Sequence, residues 1–327
     1  MAKNILVTGG AGFIGSCFVH LLLEKDPDIV IFNLDALTYA GSNLSLEDLK
    51  DHPSHHFIHG NICDQKMVSR IFSDQKIDVV VNIAAESHVD RSIEEAWPFV
   101  QSNIVGTQVL LDEAKKRGVS KFVQISTDEV YGSLGEEGVF TEQTPIDPSS
   151  PYSASKAAAD LLCLSYFKTF RFPVIITRST NNYGPYQFPE KLIPVLVGRA
   201  LKNELLPLYG DGRNIRTWLH VRDNCEAIQT VMEKGQVGRV YNISGKEERR
   251  NIDVAKIILQ TLGKSEDLIS FVKDRPGHDW RYACEDKPLR QELGWKPKIP
   301  FSKGLKETVN WYKDHQDWVK KMLQNNR

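Results

Sequence analysis

Cysteine is scarce and poorly spaced for chemistry. There are five in 327 residues, at positions 17, 63, 163, 225 and 284, and no two form a Cys-x-x-Cys pair. That spacing argues against a zinc knuckle and against a disulfide framework. Four of them lie in apolar or helical context, where a buried thiol acts as a small hydrophobe. The nine histidines are scattered and include no His-Glu-x-x-His, so no metal site is expected. Charge of one sign is also missing: 41 basic against 42 acidic residues leave a formal net charge of −1. Such a balance gives no broad field for nucleic acid, and none is expected as a partner. No apolar run approaches membrane-spanning length, and Met1-Ala2-Lys3-Asn4 leads into a strand without a basic-then-apolar leader. No membrane partner is therefore expected, and the reducing cytoplasm is the expected location. Low-complexity tracts and internal repeats are absent as well.

What is present is alternation. Ile5-Leu6-Val7 precedes a helix expected over 13–24, and Val30-Ile31-Phe32 and His56-Phe57-Ile58 precede one near 64–73. Asp78-Val79-Val80-Val81 leads to a helix over 97–116. Phe122-Val123-Gln124-Ile125 leads to a helix over 153–170, and Val174-Ile175-Ile176 follows. Short runs apolar on both faces, separated by helices, predict an α/β fold: a Rossmann-like, doubly wound parallel sheet. After Asn181, Gly and Pro punctuate the chain. The expected division is a nucleotide-binding domain over 1–180 and a smaller, interleaved C-terminal substrate-binding domain over 181–327, with a segment near 220–243 returning to the first.

Thr8-Gly9-Gly10-Ala11-Gly12-Phe13-Ile14-Gly15 follows the first strand and opens the first helix. Gly9, Gly12 and Gly15 suit a tight turn, backbone approach to a diphosphate, and close helix–sheet packing. The diphosphate would lie over the free N–H groups of the helix N-terminus. Asp35 ends the second strand, twenty residues beyond Gly15. A carboxylate there accepts from ribose hydroxyls and repels a 2′-phosphate, which points to NAD rather than NADP. Asp64 fits a helix cap, an adenine contact, or both.

Tyr152 and Lys156, four apart, share one helical face. A tyrosine is a poor base at its free pKa, near 10, and a neighbouring ammonium would favour the phenolate. Beside a nicotinamide, such a pair takes a proton from an alcohol during its oxidation. Just upstream, Ser126-Thr127-Asp128-Glu129-Val130-Tyr131-Gly132 puts two adjacent carboxylates where a buried strand ends. A solvated turn would explain them, and so would a reaction that needs both an acid and a base.

These motifs, with Ala84-Ala85-Glu86-Ser87-His88-Val89-Asp90-Arg91-Ser92-Ile93 and Asn181-Asn182-Tyr183-Gly184-Pro185-Tyr186-Gln187, resemble the extended short-chain dehydrogenase/reductases. Within them the chain is similar to the dTDP-glucose 4,6-dehydratases, and the Asp128-Glu129 pair is the specific part of that likeness. The resemblance implies NAD as cofactor, held by Gly9, Gly12, Phe13, Ile14, Gly15, Asp35, Asp64, Ala84, Tyr152 and Lys156. It also implies roles. Tyr152 would deprotonate the C4 hydroxyl, Thr127 would hydrogen-bond the C4 oxygen, Glu129 would take and later return the C5 proton, and Asp128 would protonate the departing C6 hydroxyl. The sugar nucleotide would meet Ser87, His88, Asn181, Arg216, Asn251, His278 and Tyr282, with Lys191, Leu192, Pro207 and Tyr209 around the base. Thr217 stands where the family usually has aspartate, a departure that bears on base or sugar identity. By the same resemblance, two helices, near 97–116 and 153–170, would pair in a homodimer. The alternatives are a UDP-glucose 4,6-dehydratase, a 4-epimerase, and a non-catalytic NAD-binding protein. An epimerase has no C6 hydroxyl to expel and needs no acid there.

Overall fold

A computed structural model describes residues 3–324. Its strands, in chain order, are β1 (Lys3–Thr8), β2 (Ile29–Asp35), β3 (His55–His59), β4 (Val79–Asn82), β5 (Lys121–Thr127), β6 (Val174–Ser179), β7 (Asn181–Tyr183), β8 (Leu206–Tyr209), β9 (Ile215–His220), β10 (Val240–Ile243), β11 (Glu247–Arg250) and β12 (Ile269–Val272). Seven of them form one sheet in the order β10-β6-β5-β4-β1-β2-β3, with every neighbouring pair parallel. The period-two geometry of a strand explains how such runs are buried on both sides. On β1, Ile5 and Val7 join a core with Phe18, Leu22, Ile228 and Val231 from the Phe13–Lys25 and Val221–Lys234 helices. Leu6 points the other way, to Val80, Leu111, Phe122 and Cys163. The expected Rossmann-like doubly wound sheet is the observed one.

The chain runs from β1 outward to β3, then restarts on the other side of β1 with β4. That reversal opens a crevice past the carboxyl ends of β1 and β4. Residues beyond 180 lie above it, as a three-stranded sheet (β11-β9-β7) and a two-stranded one (β12-β8), with helices packed around Tyr183, Leu196, Trp218, Ile258 and Leu305. The Val221–Lys234 helix and β10 return to the large sheet.

Two local features differ from expectation. The helix expected over 97–116 widens into a π-helical stretch at Val100–Gly106 before regular α-helix resumes at Thr107–Lys116. Within the widened stretch, buried Asn103 holds both backbone groups of Glu86, at 2.9 and 3.0 Å, and donates to Ser155 Oγ at 2.8 Å. Strand β11 carries Glu247-Glu248-Arg249-Arg250, which has no apolar alternation to announce it. It is fixed by antiparallel pairing with β9 and by Arg281 forked onto Glu248 at 2.6 and 2.9 Å. Among the described residues, no helix is long and apolar enough to cross a membrane, and no cluster of acidic, histidine or cysteine side chains could hold a metal.

Candidate active site

A cleft of about 380 Å³ opens at the sheet reversal. Its floor is the glycine turn, and the need for glycine there is steric. A Cβ on Gly9, where φ is +71°, would lie 2.6 Å from the Ala84 backbone. One on Gly15 would lie 2.0 Å from Gly9 O. No side chain caps the Phe13–Lys25 helix, whose first turn faces the cleft through Phe13, Ile14 and Gly15. Free N–H groups at a helix start suit a diphosphate. Asp35 is buried and also holds the turn: its oxygens accept from Ala11 N and Leu37 N, each at 2.8 Å. Its burial raises its pKa, against those two backbone bonds. These residues fit a dinucleotide. Asp64 stands at a helix start. Its Oδ1 accepts from Met67 N at 3.0 Å as the cap of the Gln65–Asp74 helix, and Asn61, Ile62 and Cys63 line the cleft instead.

The two adjacent carboxylates follow from how β5 ends. Thr127 closes the strand and caps a single tight turn, Asp128–Tyr131, by accepting from Glu129 N at 3.2 Å. Val130 and Tyr131 plug a small core with Phe140, Ala157 and Tyr282, and Tyr131 OH donates to Asn242 at 2.8 Å. Gly132, at φ +84°, passes so close to Asp147 O that a Cβ would lie 2.4 Å away. The turn is thus pinned on its apolar side. Asp128 is 1% exposed, and its Oδ2 has no hydrogen-bond partner. Burial, then the Glu129 charge, pushes its pKa up to about 8, against the pull of Arg216. Burial also raises Glu129, but three cations oppose it: Arg275, Arg216 and Lys191. The two carboxyls therefore stand in unequal surroundings: one cation opposes the burial of Asp128 and three oppose that of Glu129.

Tyr152 lies in the first turn of the Pro151–Phe170 helix, which a reciprocal Ser150–Ser153 box caps. Burial raises its phenol above the ordinary value, Glu129 adds to the rise, and a hydrogen bond with Thr127 opposes it. Lys156 was expected to lower that phenol. Instead its ammonium donates to Ile125 O at 2.6 Å, and the group working against the burial of Tyr152 is Thr127. Burial lowers Lys156 to about 8, with Asp160 acting the other way.

The remaining expected residues form a roof. Arg216 on β9 is buried and donates to Ile215 O at 2.8 Å and Asp279 O at 3.0 Å, with its guanidinium 4.3 Å from the Tyr282 ring centroid. Tyr282 OH bonds to the Asp279 carboxylate. Thr217 donates to Tyr282 O at 3.1 Å, so its side chain is committed to the frame of the site. Asn181 Oδ1 and Asn251 Oδ1 are buried and unpartnered. Lys191 donates to Ser87 O at 2.7 Å, and Leu192 begins the helix that follows. Pro207 and Tyr209 lie on β8, and Tyr209 OH donates to Asp90 at 3.1 Å. His278 is paired with Asp274 at 2.6 Å. His88 is a helix cap, its Nδ1 accepting from Arg91 N at 3.3 Å, and burial lowers its pKa to about 4. Of the expected set, the glycine turn, Asp35, Ala84, Ser87, Tyr152, Lys156 and Lys191 line this cleft. Asp64, the Thr127–Glu129 run and the expected substrate residues on the later strands and loops are not among its lining residues, and His88 spends one ring nitrogen on the backbone. Sequence reasoning missed Asn103, Arg275 and Asp279. The Arg275-Pro276-Gly277-His278-Asp279 run was visible, but nothing local marks two of its side chains as facing the carboxyl pair.

Comparison with known proteins agrees with this geometry. The GDP-mannose 4,6 dehydratase family profile matches residues 6–308. A dTDP-glucose 4,6-dehydratase of Xanthomonas campestris pv. campestris is 49% identical over 336 residues, covering 97% of this chain and 95% of the relative. The low-salt glycan biosynthesis protein Agl12 of Haloferax volcanii is 52% identical over 309 residues, with 94% and 98% covered. The crystal structure of a dTDP-glucose 4,6-dehydratase from Bacillus anthracis in complex with NAD superposes with a TM-score of 0.93. It shares 50% identity and covers 98% of this chain and 100% of that one.

Proposed function

The chain belongs to the dTDP-glucose 4,6-dehydratase family of the extended short-chain dehydrogenase/reductases, and on that premise we propose that it converts dTDP-glucose to dTDP-4-keto-6-deoxy-glucose with NAD as a regenerated cofactor. The observation that carries this reading is the adjacent pair of carboxyls in unequal surroundings beside Tyr152, Asp128 buried and Glu129 partly exposed. Oxidation at C4 alone needs only the tyrosine. Expelling the C6 hydroxyl needs an acid and a base on neighbouring carbons.

NAD, held by the Gly9–Gly15 turn, Asp35, Ala84, Tyr152 and Lys156, would supply the redox chemistry as acceptor and then donor of a hydride. The protein does the rest. Tyr152, once ionised, would accept the C4 hydroxyl proton with Thr127 at the C4 oxygen, and that proton replaces at the end of the cycle the one Asp128 gives up. The new ketone acidifies C5, and Glu129 removes that proton. Asp128, protonated near neutrality, gives its proton to the C6 oxygen as the C–O bond breaks and water leaves. Glu129 then returns its proton to C5. Residues 1–180 hold the cofactor, with the 220–243 segment returning to that part, and 181–327 hold most of the sugar nucleotide. Arg216 and Asn251 face its diphosphate, Asn181, His278 and Tyr282 stand nearby, and Lys191, Leu192, Pro207 and Tyr209 surround the base.

We assign the protein to a homodimer. Trp97 (60% exposed), Val105 (43%), Leu161 (57%) and Phe170 (51%) stand out on the two helices expected to pair. Other apolar residues of those helices, Phe99, Leu110, Leu111 and Tyr166, are buried against their own sheet.

The test is product analysis after incubation in D₂O with dTDP-glucose and, in parallel, UDP-glucose. Loss of water with deuterium at C5 is expected, faster with dTDP-glucose. A 4-epimer with no water lost would overturn the roles given to Asp128 and Glu129.

A further inference from the structure

The two halves of the chemistry hang from different anchors. The groups that serve oxidation at C4 are fixed by the Pro151–Phe170 helix and by β5. Tyr152 N donates to Ser92 Oγ at 3.2 Å, Lys156 Nζ donates to Ile125 O at 2.6 Å, and Thr127 ends β5 in register with Ser179 of β6. The groups that serve elimination lack such a hold on their own side chains. The Asp128 carboxyl meets the Thr127 hydroxyl at a long 3.4 Å, and its Oδ2 has no partner. It is the backbone N of Glu129, not its carboxylate, that bonds Thr127, at 3.2 Å. Where both carboxyls point is therefore set by the backbone of the Asp128–Tyr131 turn.

That turn ends on Tyr131, which acts as a post. The Phe140 ring lies against it, with centroids 5.1 Å apart and planes at 27°, and the Arg178 guanidinium lies 4.8 Å from its centroid. The Tyr131 hydroxyl donates to Asn242 Oδ1 at 2.8 Å. Asn242 sits on β10, the outermost strand of the large sheet, opposite Arg178 in the register. It is fully buried and its donors are spent: the backbone N on Glu142 Oε1 at 3.1 Å, and Nδ2 on Glu285 O at 3.2 Å. An amide tied in this way offers Tyr131 its oxygen and nothing else. Burial raises the Tyr131 phenol, so it stays protonated and remains the donor. Replacing both partners of such a bond by apolar groups of the same shape can be nearly neutral for stability. What the hydroxyl and the amide add is direction.

We propose that Asn242, acting through the Tyr131 hydroxyl, is a positioning residue for the elimination half of the reaction. It fixes the far end of the turn, and with it the approach of Asp128 to C6 and of Glu129 to C5. Oxidation at C4 keeps its own anchors. The inference rests on the dehydratase reading above.

The experiment separates the two half-reactions in the NAD-loaded holoenzyme, comparing wild type, Tyr131→Phe and Asn242→Ala. One probe is dTDP-xylose, which carries the C4 hydroxyl and has no C6, so it can be oxidised but cannot lose water across C5–C6. NADH absorbance follows its oxidation. The other is dTDP-glucose in single turnover, with water loss read by mass spectrometry and NADH read alongside. Both variants should oxidise dTDP-xylose at the wild-type rate. They should lose water from dTDP-glucose at least about tenfold more slowly, toward the roughly hundredfold that a misplacement of about 1 Å brings, and NADH should build up meanwhile. Equal slowing of both reactions would overturn the proposal, because a merely structural defect loosens the whole site. Unchanged water loss would overturn it as well. If Asn242→Ala does not fold, Tyr131→Phe, which deletes one oxygen, decides alone. A wild type that converts dTDP-glucose without losing water refutes the dehydratase reading itself, whatever the variants do.

Discussion

Removing Asp160 should unfold this protein more readily than removing almost any other single carboxylate. Asp160 is fully buried on the Pro151–Phe170 helix, and its Oδ2 accepts from Arg178 Nε at 2.9 Å; Arg178 on β6 is 3% exposed. Asp160→Asn keeps the shape and deletes the charge, which leaves a guanidinium in the interior with only the Tyr131 ring, 4.8 Å away, to favour it. Breaking a buried pair from one side costs about 3–5 kcal/mol. Unfolding entropy near 2.1 cal/mol/K per residue gives roughly 0.7 kcal/mol/K for this chain, so the melting temperature should fall by about 4–7 °C. Arg178→Met should cost less. The orphaned Asp160 still has Lys156 as a compensating charge, and burial already raises its pKa, so it can take up a proton. The double variant Asp160→Leu/Arg178→Met, which removes both charges, should melt within about 2 °C of wild type, since apolar replacement of a buried pair is often neutral or better. The assay is a thermal melt followed by circular dichroism at saturating NAD, with Asp160→Leu added so that wild type, Asp160→Leu, Arg178→Met and their double form a double-mutant cycle. An Asp160→Asn variant within about 1 °C of wild type, or single effects that simply add in the double, would refute the reasoning.

Asp128→Asn should abolish dehydration and yet stabilise the fold. The folded Asp128 value, about 8, lies above the free value of 3.8, so the folded state is penalised once pH exceeds the free value. The stabilisation, read by urea titration, should therefore grow from pH 5 to pH 8 and level off above that. Gly15→Ala should weaken NAD retention at least about tenfold, equivalent to ~1.4 kcal/mol, because its Cβ falls on a backbone oxygen that cannot yield; the absorbance ratio of the purified protein reads this. On the homodimer proposed above, the wild type should give twice the 37.1 kDa chain mass by light scattering, and Trp97→Glu combined with Leu161→Glu should leave the monomer.

What could be read from the sequence was what local geometry dictates. The glycine turn needs only a strand before it and a helix after it, and Tyr152 with Lys156 needs only helical spacing. The parallel sheet followed from runs such as Ile5-Leu6-Val7, whose alternate members serve opposite cores. What could not be read depends on segments far apart in the chain. Arg275 reaches Asp90 across 185 positions, and Asn103 widens its helix to hold Glu86 and Ser155. Asp64 was ambiguous for a different reason: a carboxylate before a helix satisfies the cap whether or not a ligand is near, and here the cap takes it. The Lys156 ammonium went to a backbone oxygen for a similar cause, since a buried cation takes the nearest acceptor and Ile125 O lies 2.6 Å away.

Asp128 and Asp160 make the sharper comparison, because both are aspartates buried to 1% or less, and burial raises both. Asp160 meets a guanidinium at 2.9 Å and settles into an ion pair, which is how interiors usually accommodate a charge. Each aspartate keeps one buried oxygen without a hydrogen-bond partner, but Asp128 has no ion pair: its neighbour is another carboxyl, and Arg216 influences it without pairing. A fold that places a guanidinium against one aspartate could in principle have paired the other in the same way. Pairing would have lowered the Asp128 value and left it ionised at neutral pH, useless as an acid toward a departing hydroxyl. On the proposed mechanism, the unpaired state would destabilise the protein and supply the proton. In this chain the depth of a carboxylate therefore says little about its role, and what separates frame from machinery is whether its charge has been answered.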